Sequence, residues 1–375
     1  MHTHFGYLTV GYVWEGKNVM ARTSKDRLSK VRKILGRFTT PLLPDDYSVL
    51  INPRWSTREL RGTIAAVRRE ADVVHLDIVP GWGVPTQFEP GQFIGIGVEV
   101  DGRYIWRSYS LTCTPTTSAS LLSITVRAVE HGKLSNHLVG HATPGTTVRL
   151  SAPAGSFHLP TPLPPKLALI AAGTGITPII SMLRTMAERQ QFAETDVVLV
   201  YSIRDRAHGL FLEALARMST QHPQLRVVVQ ETSSQGRVAP ETVASIVPDI
   251  TSRTVFACGP STMLDAYESW ANKNHVNLTT ERFLLNRKAT TAQGGTVSFG
   301  QRASVLVDGA TTVLEAGEQA GVQLPFGCRM GLCHTCVRPL THGHATNLVT
   351  GETHEPGSRI RTCVCVAAGD ITIEA

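Results

Sequence analysis

The sequence lacks any apolar run that approaches the roughly 20 residues of a membrane-spanning helix, and its N-terminus lacks the apolar stretch of a secretory signal. These absences argue against an integral membrane protein and against a secreted one. Charged residues make up 18% and apolar residues 42% of the 375 residues, as in ordinary soluble globular proteins. We therefore expect a cytoplasmic protein that at most rests on the inner face of the cell membrane.

Cysteine is also scarce, and most of it lies in one motif near the C-terminus. Four of the seven cysteines are Cys328, Cys333, Cys336 and Cys363, which argues for a reducing compartment rather than a disulfide framework. Their spacing is that of plant-type ferredoxins, in which four thiolates bind a 2Fe-2S cluster. Zinc is the alternative, but zinc motifs normally place two close pairs of ligands around a longer insert. We predict these four as the cluster ligands and Cys365 as a buried thiol.

Net charge is low outside one segment near the N-terminus. The chain carries +6, and eight basic residues between Lys17 and Arg37 against the single acid Asp26 account for it, so a general nucleic-acid surface is not expected. Apolar residues recur at helical spacing in residues 17–38. Two interpretations remain open: an amphipathic helix that meets anionic lipid or a membrane-bound partner, or a helix packed on the next domain with solvated charges.

The length of the chain predicts a multidomain protein, because 375 residues are too many for one core. Short alternating strands with Pro-Gly turns predict an antiparallel β-barrel, and longer alternating strands and helices predict an α/β doubly wound parallel sheet whose last strand runs from Leu278 to Phe283. A small α+β (β-grasp) ferredoxin domain is expected at the end. The predicted boundaries are 1–56 for the basic N-terminal segment, 57–162 for the barrel, 163–285 for the parallel sheet, 286–296 for a linker and 297–375 for the ferredoxin domain.

The barrel region contains two marks that suit a flavin. One is the sequence Arg107-Ser108-Tyr109-Ser110 at the end of a strand. Arginine can make a forked contact to a pyrophosphate, tyrosine offers a face to a flavin ring, and a serine hydroxyl can bond its N5 edge. The other is a helix that opens after Gly132 and offers free N–H groups to phosphate. Taken alone, the first mark could equally be an ordinary strand.

The parallel-sheet region contains a glycine turn at the C-terminal end of its first strand, where such sheets bind nucleotides. The turn reads Gly173-Thr174-Gly175-Ile176-Thr177-Pro178, so proline stands where the dehydrogenase fingerprint has its third glycine. Cys258-Gly259-Pro260 follows another strand at the same edge, where glycine permits close approach of a ring. Cys258 either lies beside that ring or is a buried core thiol.

Taken in this order, the marks RSYS, GKLSNHL, GTGITP, CGP and the cysteine set resemble the flavoprotein reductases of the ferredoxin reductase type that carry a C-terminal plant-type 2Fe-2S domain. The resemblance covers about residues 60–375. A closer likeness extends to the front segment: residues 39–47, Asn52-Pro53, Trp55-Ser56 and residues 321–331 resemble the actinobacterial NADPH-dependent reductases that serve a membrane-bound acyl-CoA (stearoyl-CoA) desaturase.

The resemblance implies a role for each matching residue. It implies catalytic residues Ser110, Cys258 and Glu281. It implies FAD binding by Arg107, Ser108, Tyr109, Ser110, Gly132, Leu134 and Ser135, and it implies that Phe283, like Glu281, lies near the flavin. Nicotinamide dinucleotide binding is implied for Thr174, Gly175, Thr177, Ser202, Arg204, Arg206, Cys258, Gly259 and Pro260. The metal ligands would be Cys328, Cys333, Cys336 and Cys363.

The three cofactors explain one another chemically. A nicotinamide gives up two electrons as a hydride, a cluster accepts one at a time, and a flavin connects the two. The predicted function is electron transfer from NADPH through FAD and the 2Fe-2S cluster to a membrane-bound fatty acyl-CoA desaturase. The alternatives are the reductase component of an alkane, steroid or aromatic-ring hydroxylase, and a non-catalytic electron-transfer or redox-sensing subunit. Arg204 and Arg206 suit the 2′-phosphate of NADPH, Asp205 argues for NADH, and the closer likeness favours NADPH.

Overall fold

The computed structural model describes residues 60–100, 103–115, 121–130, 132–283, 294–309, 311–326, 331 and 334–374. All of them belong to one compact unit. The predicted amphipathic helix of residues 17–38 and the predicted ligands Cys328 and Cys333 lie outside this part of the chain. No helix in the described part is long and apolar enough to cross a membrane.

The first region is an antiparallel barrel, as predicted. Its strands pair in the order β4-β3-β6-β1-β2-β5, and a bridge between Leu111 and Ile124 joins the two edge strands. Helix α1 packs its buried residues Leu134 and Leu138 into the barrel core. The elements are β1 (Arg61–Glu70), β2 (Val73–Pro80), β3 (Phe93–Val100), β4 (Arg103–Ser110), β5 (Leu122–Arg127), α1 (Lys133–His141) and β6 (Thr147–Leu150).

The second region is a parallel five-stranded sheet in the order β11-β10-β7-β8-β9. Its strands are buried on both faces, because alternate residues of β7 enter two separate cores. Strand β11 ends at Glu281, so the predicted extension to Phe283 is wrong. The elements are β7 (Lys166–Ala172), α2 (Ile176–Glu188), β8 (Asp196–Ile203), α3 (Leu212–Gln221), β9 (Leu225–Glu231), α4 (Thr232–Gln235), α5 (Pro240–Ile246), β10 (Thr254–Cys258), α6 (Ser261–Asn274) and β11 (Leu278–Glu281).

The third region is the predicted α+β domain, built on one five-stranded sheet in the order β13-β12-β19-β14-β17 and one three-stranded sheet in the order β16-β15-β18. Thr312 and Glu315 form a capping box that starts its helix. Strand β12 begins inside the predicted linker. The elements are β12 (Gly295–Phe299), β13 (Ala303–Val307), α7 (Val313–Gln319), β14 (Val337–His342), β15 (Ala345–Asn347), β16 (Thr353–His354), β17 (Arg359–Arg361), β18 (Cys365–Ala367) and β19 (Ile371–Ile373).

Candidate functional site

A cavity of about 870 Å³ lies at the carboxyl edge of the parallel sheet. Because parallel strands end at the same edge, the turn after β7, the end of β8 and the turn after β10 all reach it. Asp72 and Arg127, which form an ion pair of 3.2 Å, line it from the barrel side. The volume and the mixed lining suit an extended ligand such as a dinucleotide. Among the predicted binding residues, its wall includes Thr174, Ser202, Arg204, Gly259, Pro260 and Phe283.

The glycine turn is packed directly against the end of β10. A Cβ atom on Gly175 would lie 2.0 Å from the carbonyl oxygen of Cys258, so no other residue fits without moving the backbone. The Tyr201 hydroxyl donates to the Gly173 carbonyl at 3.1 Å and accepts from the Leu210 N–H at 3.0 Å. The turn and the two strands beside it are therefore fixed before any ligand binds.

Besides Arg127, which is paired with Asp72, two arginines line the cavity, and only one of them was predicted. Arg204 and Arg237 both lie on its wall, and both side chains are exposed. Arg206 pairs instead with Glu231, at 3.3 Å, and is not among the lining residues. Sequence reasoning missed Arg237 because it follows β9, and only the pairing of β9 with β8 brings that loop beside the end of β8.

Cys258 and Glu281 are register partners on β10 and β11, behind the cavity wall. Cys258 is fully buried in the apolar core, and Glu281 is 8% exposed. Burial raises the pKa of Glu281 to about 8 and, with the Glu281 carboxylate beside it, raises the pKa of the Cys258 thiol well above its usual range. Glu281 Oε2 has no hydrogen-bond partner within the described residues. Burial therefore favours the un-ionised carboxyl and the neutral thiol in this pair.

The predicted flavin residues lie together where α1 packs against β4. Ser110 is 5% exposed, and its hydroxyl finds no partner in the described part of the chain. Arg107 is exposed, and one of its nitrogens donates to the Trp106 carbonyl at 2.7 Å. Gly132 precedes α1 so tightly that a Cβ there would lie 2.4 Å from Ser135 Oγ. A buried hydroxyl without a partner, an accessible guanidinium and a helix N-terminus fit an FAD.

Helix α2 links the end of β4, which contains the predicted flavin residues, to the carboxyl edge of the parallel sheet. Ser181 donates to the Cys113 carbonyl at 2.7 Å, and Arg184 donates to the Thr112 carbonyl at 2.6 Å. Both acceptors lie just beyond Ser110, and α2 itself starts directly after the glycine turn. Helix α2 thus connects the strand end that contains the predicted flavin residue Ser110 with the turn predicted to contact the nicotinamide nucleotide.

The cluster end of the molecule shows two of the four predicted ligands. The sulfur atoms of Cys336 and Cys363 lie 3.2 Å apart, and the residues are 1% and 4% exposed. Two soft thiols at contact distance fit adjacent ligands of one iron. Cys365 is fully buried in the same domain core, and burial raises its pKa to about 12. The predicted ligands Cys328 and Cys333 lie outside the described residues.

Three family models match the chain in the order of the three regions. They are the oxidoreductase FAD-binding domain at residues 83–159, the oxidoreductase NAD-binding domain at residues 169–269, and the 2Fe-2S iron-sulfur cluster binding domain at residues 298–368. The FAD, NAD(P)H and 2Fe-2S cofactors predicted from the sequence are thereby confirmed.

Several characterised proteins are similar over most of the chain. An NADPH oxidoreductase of Mycobacterium tuberculosis is 49% identical over 350 residues, 92% of each chain. The ferredoxin reductase component of 3-ketosteroid-9-alpha-monooxygenase from the same species is 30% identical over 68% of this chain and 75% of its own. The solved structure of phthalate dioxygenase reductase is 22% identical in sequence. The match covers 84% of this chain and 98% of that one with a TM-score of 0.61, which shows the shared fold.

Proposed function

Because this chain belongs to the family of ferredoxin reductase-type NAD(P)H oxidoreductases with FAD and 2Fe-2S domains, we propose that it carries electrons from NADPH to a membrane-bound fatty acyl-CoA desaturase. A bound flavin would supply the chemistry that links a two-electron hydride donor to a one-electron cluster. The chain's own residues then have to bind the cofactors, orient them relative to one another and exclude water from the site. Ser110 and the turn at Gly175 would hold the flavin and nicotinamide in register through α2, and Glu281 would keep a proton beside them.

The cavity supports NADPH as the donor. Arg204 and Arg237 present two guanidinium groups on its wall, and arginine suits a phosphate because it donates in a fork. We propose that they meet the 2′-phosphate, whereas Arg206 is held by Glu231. Arg204→Ala should raise the KM for NADPH roughly tenfold, as for a lost hydrogen bond to a charged group, and leave the KM for NADH unchanged.

Arg206→Ala is the matched control, since it removes an arginine two residues away that does not line the cavity. It should leave the ratio of the two KM values as in the wild type. An equal rise for both coenzymes in Arg204→Ala, or a larger selectivity change in Arg206→Ala, would contradict the assignment.

The proposal that the electron acceptor is a desaturase rests on the extent of the similarity to the mycobacterial NADPH oxidoreductase. That match spans 92% of the chain and so must include part of residues 1–59, which precede all three matched domains. The monooxygenase reductases match 76% or less of it. The front segment is also where the sequence resembles reductases that serve acyl-CoA desaturases, and its basic residues 17–38 would meet the membrane or the desaturase.

The test is NADPH-driven desaturation of a long-chain acyl-CoA by desaturase-containing membranes, with and without the purified protein. Stimulation of desaturation supports the proposal. Cys363→Ala protein serves as the control for electrons that bypass the cluster, and reduction of a soluble dye checks that the flavin is active. Dye reduction without desaturation would reject the desaturase and keep the reductase.

The second candidate acceptor is an oxygenase. It is favoured by the relatives named as reductase components of 3-ketosteroid-9-alpha-monooxygenase and of glycine betaine monooxygenase. A chain lacking residues 1–38 separates the two candidates. It should lose desaturation and binding to anionic vesicles if the front segment serves a membrane partner, and it should support a soluble oxygenase as well as the full chain does.

A further inference from the structure

Trp106 is buried although it lies outside the barrel core. The residue is 7% exposed, yet the barrel's core cluster within the described residues does not include it. Its register partner on the neighbouring strand is Gly97, where a Cβ would lie 2.4 Å from Trp106 Cε2 and 2.7 Å from Nε1. The indole therefore rests on the bare backbone of β3, and its burial requires a cover on the other side.

Phe326 of the ferredoxin domain provides that cover. The two ring centroids lie 5.7 Å apart at an interplanar angle of 87°, which is the favoured edge-to-face arrangement. Phe326 also packs against the ferredoxin core. In the sequence, Trp106 directly precedes Arg107 of the flavin motif, and Phe326 stands two residues before the predicted ligand Cys328. One ring pair thus joins the flavin strand to the start of the cluster loop.

We infer that the Trp106–Phe326 pair seats the 2Fe-2S domain against the FAD strand and so sets the rate of electron transfer from flavin to cluster. The inference rests on the proposed path from flavin to cluster. In the step concerned the reduced flavin loses one electron, and one ferric iron of the cluster becomes ferrous. Both residues are positioning residues: neither has to carry the electron, because their contact fixes the distance between the two cofactors.

The size of the expected change in the flavin-to-cluster rate follows from the energy of the ring pair. An edge-to-face pair changes the population of a docked state roughly two- to tenfold, and the rate of electron transfer follows the population of the docked state. We therefore expect Phe326→Leu, which keeps an apolar side chain but removes the ring, to slow the flavin-to-cluster step about tenfold.

The experiment follows both steps in the cofactor-loaded full-length protein under anaerobic conditions. After mixing with NADPH, bleaching of the flavin and then of the cluster is recorded for the wild type, Phe326→Leu and Trp106→Leu. Flavin bleaching should be unchanged in Phe326→Leu while the cluster step slows, with iron content as in the wild type. Trp82→Leu, which removes a tryptophan that is 42% exposed in the same barrel, should change neither step.

The exchanged pair, Trp106→Phe with Phe326→Trp, provides a rescue. It should bring the cluster step back toward the wild-type rate, because it restores two rings in contact. If the double variant Trp106→Leu with Phe326→Leu reduces its full complement of cluster at the wild-type rate, the inference is wrong. Should Trp106→Leu lose its flavin, Phe326→Leu still tests the contact from the other domain.

A second readout needs no turnover. In protein without cofactors, hydrogen exchange should quicken in peptides from β3 and from residues 311–326 of Phe326→Leu, and unchanged exchange in both would also overturn the inference. Failure of the NADPH step of the proposed function looks different: neither nicotinamide would bleach the flavin. Light-driven reduction of the flavin by a deazaflavin would then still measure the flavin-to-cluster step.

Discussion

The nucleotide edge and the cluster end of this molecule both bury cysteine, but they use it in opposite ways. At the nucleotide edge Cys258 lies in an apolar core beside Glu281, and burial favours the neutral form of both groups. At the cluster end Cys336 and Cys363 bring two sulfur atoms to 3.2 Å, a placement that suits thiolates only when a metal offsets their charge. Burial alone therefore does not distinguish a ligand from a core thiol; the neighbour does.

The largest expected effect is loss of the cluster, and it tests the assignment of cysteine ligands at the cluster end. Cys363→Ala should abolish the cluster, because 2Fe-2S iron needs all four thiolates. Cys365→Ala is the matched change two residues away, in a side chain buried in the core, and should keep the cluster at a modest cost in stability from the small cavity. Iron and acid-labile sulfide per chain, with the visible spectrum, measure both variants.

Retention of the cluster in Cys363→Ala together with its loss in Cys365→Ala would exchange the two assignments. Loss in both would mean that Cys365 supports the loop, and the comparison between ligand and core thiol would then fail for this domain.

The second prediction concerns the nucleotide edge, which is built by backbone contact. Gly175→Ala forces a Cβ into the Cys258 carbonyl, and overpacking of this kind costs about 1–3 kcal/mol. Because the turn also lines the cavity, the dissociation constant for NADP⁺ should rise. Thermal unfolding and coenzyme titration measure the two effects.

Gly140→Ala is the control for that change. Gly140 lies in α1, where an added Cβ meets nothing within 4 Å. Alanine there should leave coenzyme binding unchanged and stabilise the helix by roughly 0.5–1 kcal/mol. If Gly175→Ala behaved in the same way, the close packing of the turn against β10 would be refuted.

Sequence patterns predicted the barrel and the parallel sheet because their hydrophobic periods are strong and their turns carry Pro and Gly. The short strands β14 to β19 showed no such hydrophobic period. The predicted last strand of the parallel sheet extended to Phe283, whereas β11 ends at Glu281. In the site, motif residues such as Ser110 and Gly175 could be found because their chemistry depends on local sequence. Arg237 and the contact between Trp106 and Phe326 could not, because each depends on the tertiary placement of separate segments.

The third prediction is a pH dependence at Glu281. Its pKa is raised from 4.5 to about 8 by burial, so between these values the folded state binds more protons than the unfolded state. Native stability should therefore be greatest at the acidic end of this window and fall as the pH rises through it, by at most about 1.4 kcal/mol per unit. Glu281→Gln keeps a neutral side chain of the same shape and should remove this slope. Thermal unfolding from pH 5 to pH 9 measures it.

The control is Glu194→Gln, at an exposed position of the same domain, which should keep the wild-type slope. Parallel curves for the wild type and Glu281→Gln would show that the carboxyl is already ionised at pH 5 or is hydrated in solution. The nucleotide edge would then hold a charge beside Cys258, and it would no longer differ from the cluster end in the way that burial implies. A flattened slope in Glu281→Gln alone would mean that the nucleotide edge keeps its acid un-ionised beside Cys258, where a proton can be held without a compensating charge.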